Sequence, residues 1–138
     1  MENDEPTVIL EDRATDRRLH IPVGPFEASA IILELESISP PRPLTHDLLA
    51  YFFEEGGFSL DEVILYGEPD SGSRARLSYR KGLRKCEKEV RPSDALALAL
   101  RLDAPVYAEA AMFDRRKGDE SAWHRPTILA LDEWKARA

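Results

Sequence analysis

The chain has 138 residues, a net charge of −7 and a single cysteine, Cys86. This length fits one domain of ordinary size, and a lone cysteine excludes an internal disulfide bond. No apolar run approaches the roughly 20 residues of a membrane-spanning helix, and the acidic start of the chain lacks the pattern of a signal peptide. We therefore expect one cytoplasmic domain over residues 1–138, with its core at about residues 7–112 and no membrane partner.

The charge is unevenly distributed along the chain. Residues 74–91 carry a local charge of +6, so the remainder sums to −13. Overall acidity is unusual for a non-specific nucleic-acid binder, whose affinity comes largely from Lys and Arg that neutralise phosphates. The basic segment leaves nucleic acid as an expected partner, although a solvated hairpin explains the same charges.

The first half of the chain predicts a hairpin followed by two helices. Apolar runs at residues 8–10 and 19–23 flank a polar turn, which is typical of a β-hairpin. Pro25 suits the first position of a helix, and three prolines at residues 40–43 end that helix. A second helix is predicted to begin at Thr45 and to end at Gly56-Gly57. The threonine hydroxyl is expected to cap its N-terminus. Its expected buried stripe consists of Leu48, Leu49, Phe52 and Phe53.

The second half predicts a strand at residues 63–66, a loop over 67–73, a second hairpin at 75–79 and 84–90, a third helix over 92–102 and a strand at 105–108. A loose polar segment is expected over 113–124, and a C-terminal helical extension over about 127–138. Strands and helices do not alternate regularly, so the pattern predicts an α+β fold.

A shift of 67 residues aligns the two halves, placing Pro25 on Pro92 and Ala28 on Ala95. Under this shift the two predicted hairpins also superpose. Leu10 faces Leu19 in the first, and Leu77 faces Cys86 in the second, around a Lys81-Gly82 turn. A bulged turn in the second hairpin, with a one-residue change of register, stays open. Opposite charges then face each other in the pairs Glu11–Arg18, Arg76–Glu87 and Arg74–Glu89. The pattern predicts internally duplicated β-hairpin–helix units that form a mostly antiparallel sheet packed with helices.

Three stretches together carry a resemblance to a known family. They are Ile21-Pro22-Val23-Gly24-Pro25-Phe26-Glu27-Ala28, Arg42-Pro43-Leu44-Thr45-His46-Asp47-Leu48 and Arg91-Pro92-Ser93-Asp94-Ala95-Leu96-Ala97-Leu98. In order and spacing the chain resembles the bifunctional nuclease family over residues 8–112. The resemblance implies an α+β fold and, by association, nuclease activity on RNA and DNA. It supplies no catalytic assignment, so the site is argued from chemistry.

Phosphodiester cleavage requires an activated nucleophile and stabilisation of charge on the phosphoryl oxygens. Carboxylates that hold Mg²⁺ or Mn²⁺ commonly supply both, because hard cations prefer oxygen ligands. The candidate catalytic carboxylates are Glu27, Asp47 and Asp94, with Asp47 and Asp94 as the candidate metal ligands.

The remaining candidates are one base and two phosphate-binding cations. His46 is suited to act as general base, and the guanidinium groups of Arg42 and Arg91 match phosphate geometry. All the candidates lie at or just before predicted helix N-termini, which favour phosphate binding. If the two repeats pack about a pseudo-dyad, these three helix starts converge on one pocket, which is a hypothesis.

Three functional hypotheses follow. The first is a nuclease of low sequence specificity assisted by Mg²⁺ or Mn²⁺. The second is a non-catalytic binding or regulatory module, in which the polar helix starts hold an anionic small ligand or a protein partner. A purely structural role of the same residues also stays open, in which Glu27 and Asp94 only stabilise helix dipoles and Asp47 only caps its helix. The third is self-association into a homo-oligomer through exposed hairpin edges.

Overall fold

The computed structural model describes residues 6–12, 16–68, 72–113, 123–124 and 127–128. Its elements are β1 (Thr7–Asp12), β2 (Arg17–Pro22), α1 (Pro25–Leu35), α2 (Thr45–Glu55), β3 (Phe58–Glu68), β4 (Gly72–Lys81), β5 (Arg84–Val90), α3 (Pro92–Leu102), β6 (Val106–Glu109), a 3-10 turn (Ala110–Met112), β7 (Trp123–His124) and β8 (Thr127–Ile128). Thr127–Ile128 is therefore a strand and not the start of the predicted C-terminal helix, whose other residues lie outside the described ranges. No described helix is long and apolar enough to cross a membrane.

The described strands form two sheets, in the orders β2-β1-β8 and β5-β4-β3-β6-β7. The β3–β6 pair is parallel, and the other pairs of neighbouring strands are antiparallel. The α+β class and the mostly antiparallel pairing are confirmed. β3 and β4 are longer than predicted and pair up to Glu68 and Gly72, so strand structure replaces part of the predicted loop over 67–73.

The first hairpin has the predicted register. Val8 faces Ile21, Leu10 faces Leu19, and Glu11 faces Arg18. The side chains of Val8, Leu10, Leu19 and Ile21 are all buried. Register is specified here because a slip of one residue would move this apolar set to the opposite face.

The second hairpin is shifted by two residues from the predicted register. Tyr79 faces Cys86 and Leu77 faces Lys88, so the predicted Leu77–Cys86 pair is wrong. The turn is Gly82-Leu83, with Gly82 at a φ of 61°, a left-handed conformation that glycine adopts without steric cost. The predicted ion pairs Arg74–Glu89 (3.8 Å) and Arg76–Glu87 (3.9 Å) form nevertheless, as diagonal neighbours.

Each hairpin leads into a helix that begins with a proline, Pro25 in α1 and Pro92 in α3. This shared order of elements agrees with the predicted repeat. The two hairpins belong to different sheets and have different turn registers, so the duplication itself stays a prediction.

The centre of the core is α3, which packs against α1, α2, β3 and β4. Its residues 95–99, Ala-Leu-Ala-Leu-Ala, are all buried. Leu96 and Leu65 are completely buried, and each such side chain contributes about 1.5–3 kcal/mol of hydrophobic stabilisation. This central position brings the starts of the other two helices next to that of α3.

The predicted buried stripe of α2 is wrong. Leu48, Leu49 and Phe52 are 47%, 49% and 62% exposed. Of the predicted stripe only Phe53 turns inward, stacking on Phe58 at 5.3 Å between ring centroids. The buried side of the helix carries polar residues instead, because His46 and Asp47 have partners on α3.

The N-terminus of α2 also differs from the prediction. The residue before the helix is Leu44, and Thr45 already lies inside it. The Asp47 carboxylate accepts the backbone N–H of Leu44 at 3.0 Å, a contact that reaches back to the residue before the helix, and the predicted cap by the Thr45 hydroxyl is absent.

Candidate functional site

The first turns of the three helices meet at the predicted candidate residues. Glu27 lies in the first turn of α1, His46 and Asp47 in that of α2, and Asp94 in that of α3, with Arg91 directly before α3. Hydrogen bonds join Glu27, His46, Arg91 and Asp94 into one network across three helices. We call these four residues the network.

The Asp94 carboxylate is the centre of the network. It accepts two hydrogen bonds from Arg91, Nε to Oδ2 at 2.8 Å and Nη2 to Oδ1 at 3.1 Å. Its Oδ1 is also 3.0 Å from Nε2 of His46, whose side chain is only 13% exposed. An ionised carboxylate only accepts, so Nε2 carries the proton and Nδ1 is the basic nitrogen of the neutral ring. Asp94 thus fixes both the orientation and the tautomer of His46.

Arg91 forms the exposed part of the network. Its side chain is 67% exposed, and its Nη2 also donates to Glu27 at 3.1 Å. The hydrogen bond with Asp94, followed by its negative charge and that of Glu27, raises the pKa of Arg91 above its ordinary value. A permanently charged guanidinium fork therefore stands at the solvent side of His46 and Asp94.

Asp47 has a different partner, Arg101 in the last turn of α3. The Arg101 side chain is only 5% exposed, and its Nε donates to Asp47 at 2.5 Å. Its Nη1 donates to the Ala97 carbonyl at 3.0 Å, and its Nη2 to the Ala30 carbonyl in α1 at 3.2 Å. One buried arginine therefore ties all three helices together just behind the network.

The sequence reasoning missed Arg101. A basic residue in the last turn of a helix has an ordinary explanation, because it interacts favourably with the helix dipole. The available signal was its spacing: Arg101 follows Asp94 by seven residues and Ala97 by four, so the three share one face of α3.

Arg42 lies apart from the other candidates. It is exposed in the segment between α1 and α2. In the described part of the chain, no hydrogen bond or ion pair joins it to the network. Its predicted role in phosphate binding stays a prediction.

The predicted metal ligands point to different partners. Both oxygens of Asp47 are engaged, by Arg101 and by the Leu44 backbone N–H, whereas Asp94 faces His46 and Arg91. Among the described residues no group of three or more His, Cys, Asp and Glu side chains is placed to hold a metal ion. The structure does bring a second carboxylate, Glu27, to the arginine that binds Asp94.

Two carboxyl groups of the site have lowered pKa values. Burial raises the pKa of Asp94, but hydrogen bonds from Arg91 and His46 outweigh it and leave this pKa below its ordinary value of 3.8. Burial likewise raises the pKa of Asp47, but the hydrogen bonds from Leu44 and Arg101 outweigh the effect of burial and leave this pKa below its ordinary value. Both carboxylates are therefore charged at neutral pH.

These lowered values predict how acid acts on stability. A carboxyl group whose folded pKa is depressed stabilises the fold above its unfolded pKa, and this contribution is lost as pH falls through the folded value. The stability difference between the wild type and Asp94→Asn is therefore expected to be largest near neutral pH, to decrease below about pH 4 and to be lost as the pH falls through the folded pKa. Urea unfolding midpoints at a series of pH values measure it, and a difference that does not change with pH would contradict the assigned ion pairs.

The arrangement has a chemical capacity that its residue types determine. A histidine held by a carboxylate, beside an exposed guanidinium group at helix starts, is able to accept a proton next to a group that is able to bind an anion. The model of the bifunctional nuclease domain matches residues 8–121, and the chain belongs to this family.

The chain is also similar to proteins of Mycobacterium tuberculosis. Two of them, from the strains CDC 1551 / Oshkosh and ATCC 25618, are each 38% identical to it over 132 residues, which is 94% of this chain and 79% of the relative. Both relatives are described only as uncharacterized proteins, so they support the family and carry no information on activity.

Proposed function

We propose that this protein cleaves phosphodiester bonds in RNA and DNA with little sequence specificity, and that His46 and Asp94 form the centre of the reaction. The observation that carries the proposal is the 3.0 Å contact between His46 Nε2 and an Asp94 carboxylate that also binds Arg91. Membership of the bifunctional nuclease domain family supports the choice of substrate.

In this mechanism His46 acts as the general base. Nδ1 of the neutral ring accepts a proton from an attacking water molecule, while the water oxygen forms a bond to phosphorus and the bond to the leaving sugar oxygen breaks. The imidazolium then returns its proton to that leaving oxygen. Asp94 keeps the ring oriented and stabilises the imidazolium that forms. This division of labour resembles other sites in which a carboxylate orients a catalytic histidine.

Arg91 is the proposed phosphate-binding residue. Its exposed guanidinium group can exchange one carboxylate partner for a phosphate without losing its charge. Glu27 holds Arg91 from the side of α1 and so limits the directions from which a phosphate approaches. Because Arg91 would bind a phosphate of the nucleic-acid backbone and not a base, we expect little sequence preference.

Assistance by Mg²⁺ or Mn²⁺ is part of the proposal. Mg²⁺ usually keeps several waters and binds through one or two carboxylates together with substrate phosphates, so it does not require a dedicated cage of protein ligands. Of the two predicted ligands, Asp94 is the one suited to this, because both oxygens of Asp47 are engaged by Arg101 and the Leu44 N–H. Glu27, which shares Arg91 with Asp94, is proposed as the second carboxylate in place of Asp47. The ion would supply neutralisation of the phosphoryl charge.

The test is cleavage of labelled single-stranded RNA and DNA by wild type and Asp94→Asn, with Mg²⁺, with Mn²⁺ and with a chelator. We expect the variant to be at least about tenfold slower, because the ring of His46 loses its charged partner. Glu55→Gln, an exposed carboxylate at the far end of α2, is the matched control and is expected to leave the rate unchanged.

Equal rates for wild type and Asp94→Asn would indicate a contaminating enzyme and contradict the proposal. A complete lack of cleavage by the wild type with either metal would favour the second function, a non-catalytic binding module. The observation that favours this module is that Arg91 and the carboxylates of Asp94 and Glu27 already pair with one another, as they would in a purely structural network.

A further inference from the structure

The outward face of α2 is apolar and exposed. The residues concerned are Leu44 (38% exposed), Leu48 (47%), Leu49 (49%), Tyr51 (55%) and Phe52 (62%). Single exposed apolar side chains are common on soluble proteins, but a contiguous group usually marks an interaction site. Only Ala50 of the whole helix is buried, and of its large apolar side chains only Phe53 turns inward.

A cleft lies beside this face. Its volume is about 410 Å³, within the range of cavities that accept a ligand or an anchoring side chain. One wall is the segment after α1, with Ile38, Pro40 and Pro43, and the other is α2, with Leu48 and Tyr51. The prolines restrict the backbone of the first wall, so the cleft is formed before anything enters it.

The lining of the cleft is acidic. Glu34 and Asp47 belong to it and no Lys or Arg does, although exposed Arg42 lies between the lining residues Pro40 and Pro43 in the chain. Asp47 is already paired with Arg101, but Glu34 makes no ion pair within the part of the chain that the structure describes. Glu54 and Glu55 add two further negative charges at the C-terminal end of α2, which itself contains no Lys or Arg. An occupant should therefore carry positive charge next to its apolar surface.

A second copy of α2 is a poor match for this face. In a two-fold symmetric pair the same patch supplies both sides, so neither copy would offer a Lys or Arg of α2 or of the cleft lining to the acidic residues of the other. Like charges placed together at an interface are destabilising. The charge pattern thus favours a different, basic partner.

We propose that the outward face of α2 and the adjoining cleft bind a basic amphipathic helix of a partner protein. The apolar side of that helix lies along Leu48, Leu49 and Phe52, one anchoring side chain enters the cleft, and its Lys or Arg residues face Glu34 and the acidic end of α2. This is the helix-in-groove mode of recognition. It is independent of phosphodiester cleavage and uses no residue of the network.

The test uses a fluorescent helical peptide of about 18 residues, built from Leu at i, i+3, i+4 and i+7 and Lys elsewhere. Its binding to the wild type, to Leu48→Ser and to Phe52→Ser is followed by fluorescence anisotropy without nucleic acid. We expect each substitution to raise the Kd about tenfold or more, as is usual for central interface residues. Leu83→Ser is the matched control, because Leu83 is 99% exposed at the β4–β5 turn, and its Kd is expected to equal that of the wild type.

The charge requirement is tested with the same peptide carrying Glu in place of Lys, which is expected not to bind. Equal affinity for the two peptides, or an unchanged Kd in both Leu48→Ser and Phe52→Ser, would overturn the proposal. So would sedimentation showing that the wild type forms a dimer that Leu48→Ser dissociates, since a second copy would then cover the face. Circular dichroism of each variant establishes that it is folded, and none of these results depends on whether the protein cleaves nucleic acid.

Discussion

Replacing His46 with alanine is expected to lower the rate of phosphodiester cleavage about a hundredfold, because a positioned general base typically contributes a factor of this order or more. The side chain is nearly buried and is held by Asp94 at 3.0 Å, so no neighbouring group takes its place readily. Initial rates on labelled single-stranded RNA measure the effect. Added imidazole should restore part of the rate, since the small base fits the space that the side chain leaves.

The chain offers a matched control for this substitution. His20 lies in β2 with an exposed side chain, so His20→Ala removes an imidazole without touching the network. It is expected to cleave at the wild-type rate and to show no response to imidazole. If His46→Ala cleaves as fast as His20→Ala, then His46 is a structural residue and the proposed mechanism fails.

Replacing Arg101 with methionine is expected to lower the free energy of unfolding by about 3 kcal/mol, because the loss of one partner leaves the other charge unpaired in a partly buried place. The Asp47 side chain is 26% exposed, so we expect a loss of stability at the lower end of the range that is usual when one partner of a buried ion pair is removed. The carbonyl of Ala30 also loses its donor. Urea unfolding at neutral pH gives the value.

Two further variants test the cause of this destabilisation. Arg84→Met removes an arginine from the exposed end of the β4–β5 hairpin and is expected to change the free energy of unfolding by less than about 0.5 kcal/mol. The loss of unfolding free energy in Arg101→Lys should lie between those of Arg84→Met and Arg101→Met, because a single ammonium group cannot reproduce the guanidinium fork that contacts three helices. A loss in Arg101→Met no greater than that in Arg84→Met would mean that the buried ion pair contributes nothing to stability.

The starts of the three helices and the register of the first hairpin were predictable because local signals specify them. Pro25 and Pro92 fix the starts of α1 and α3, and alternation of apolar residues fixes the pairing of Leu10 with Leu19. The same signals placed the network candidates Glu27, His46, Arg91 and Asp94 at helix starts. Their convergence on one pocket was a hypothesis that rested on pseudo-dyad packing of the repeats, and it stays one. The structure shows hydrogen bonds among these four residues, across the contacts of α1 and α2 with α3.

The predictions from sequence are wrong where residues far apart in the chain determine which side chains are buried. The face of α2 that turns inward is chosen by Asp94 and Arg101, which lie 48 and 54 residues from their partners, and no periodicity within α2 contains that information. The apolar pattern of Leu48, Leu49 and Phe52 was therefore assigned to the core although it faces outward. In the second hairpin the turn residue Gly82, rather than the repeat, sets the pairing.

The sharing of one carboxylate between His46 and Arg91 has a consequence for the proposed reaction. In the structure the negative charge of Asp94 is divided between a guanidinium and an imidazole. An incoming phosphate that draws Arg91 towards itself would leave His46 as the remaining side-chain partner of Asp94. Arrival of the substrate would in this way change the contacts of Asp94 before any bond breaks.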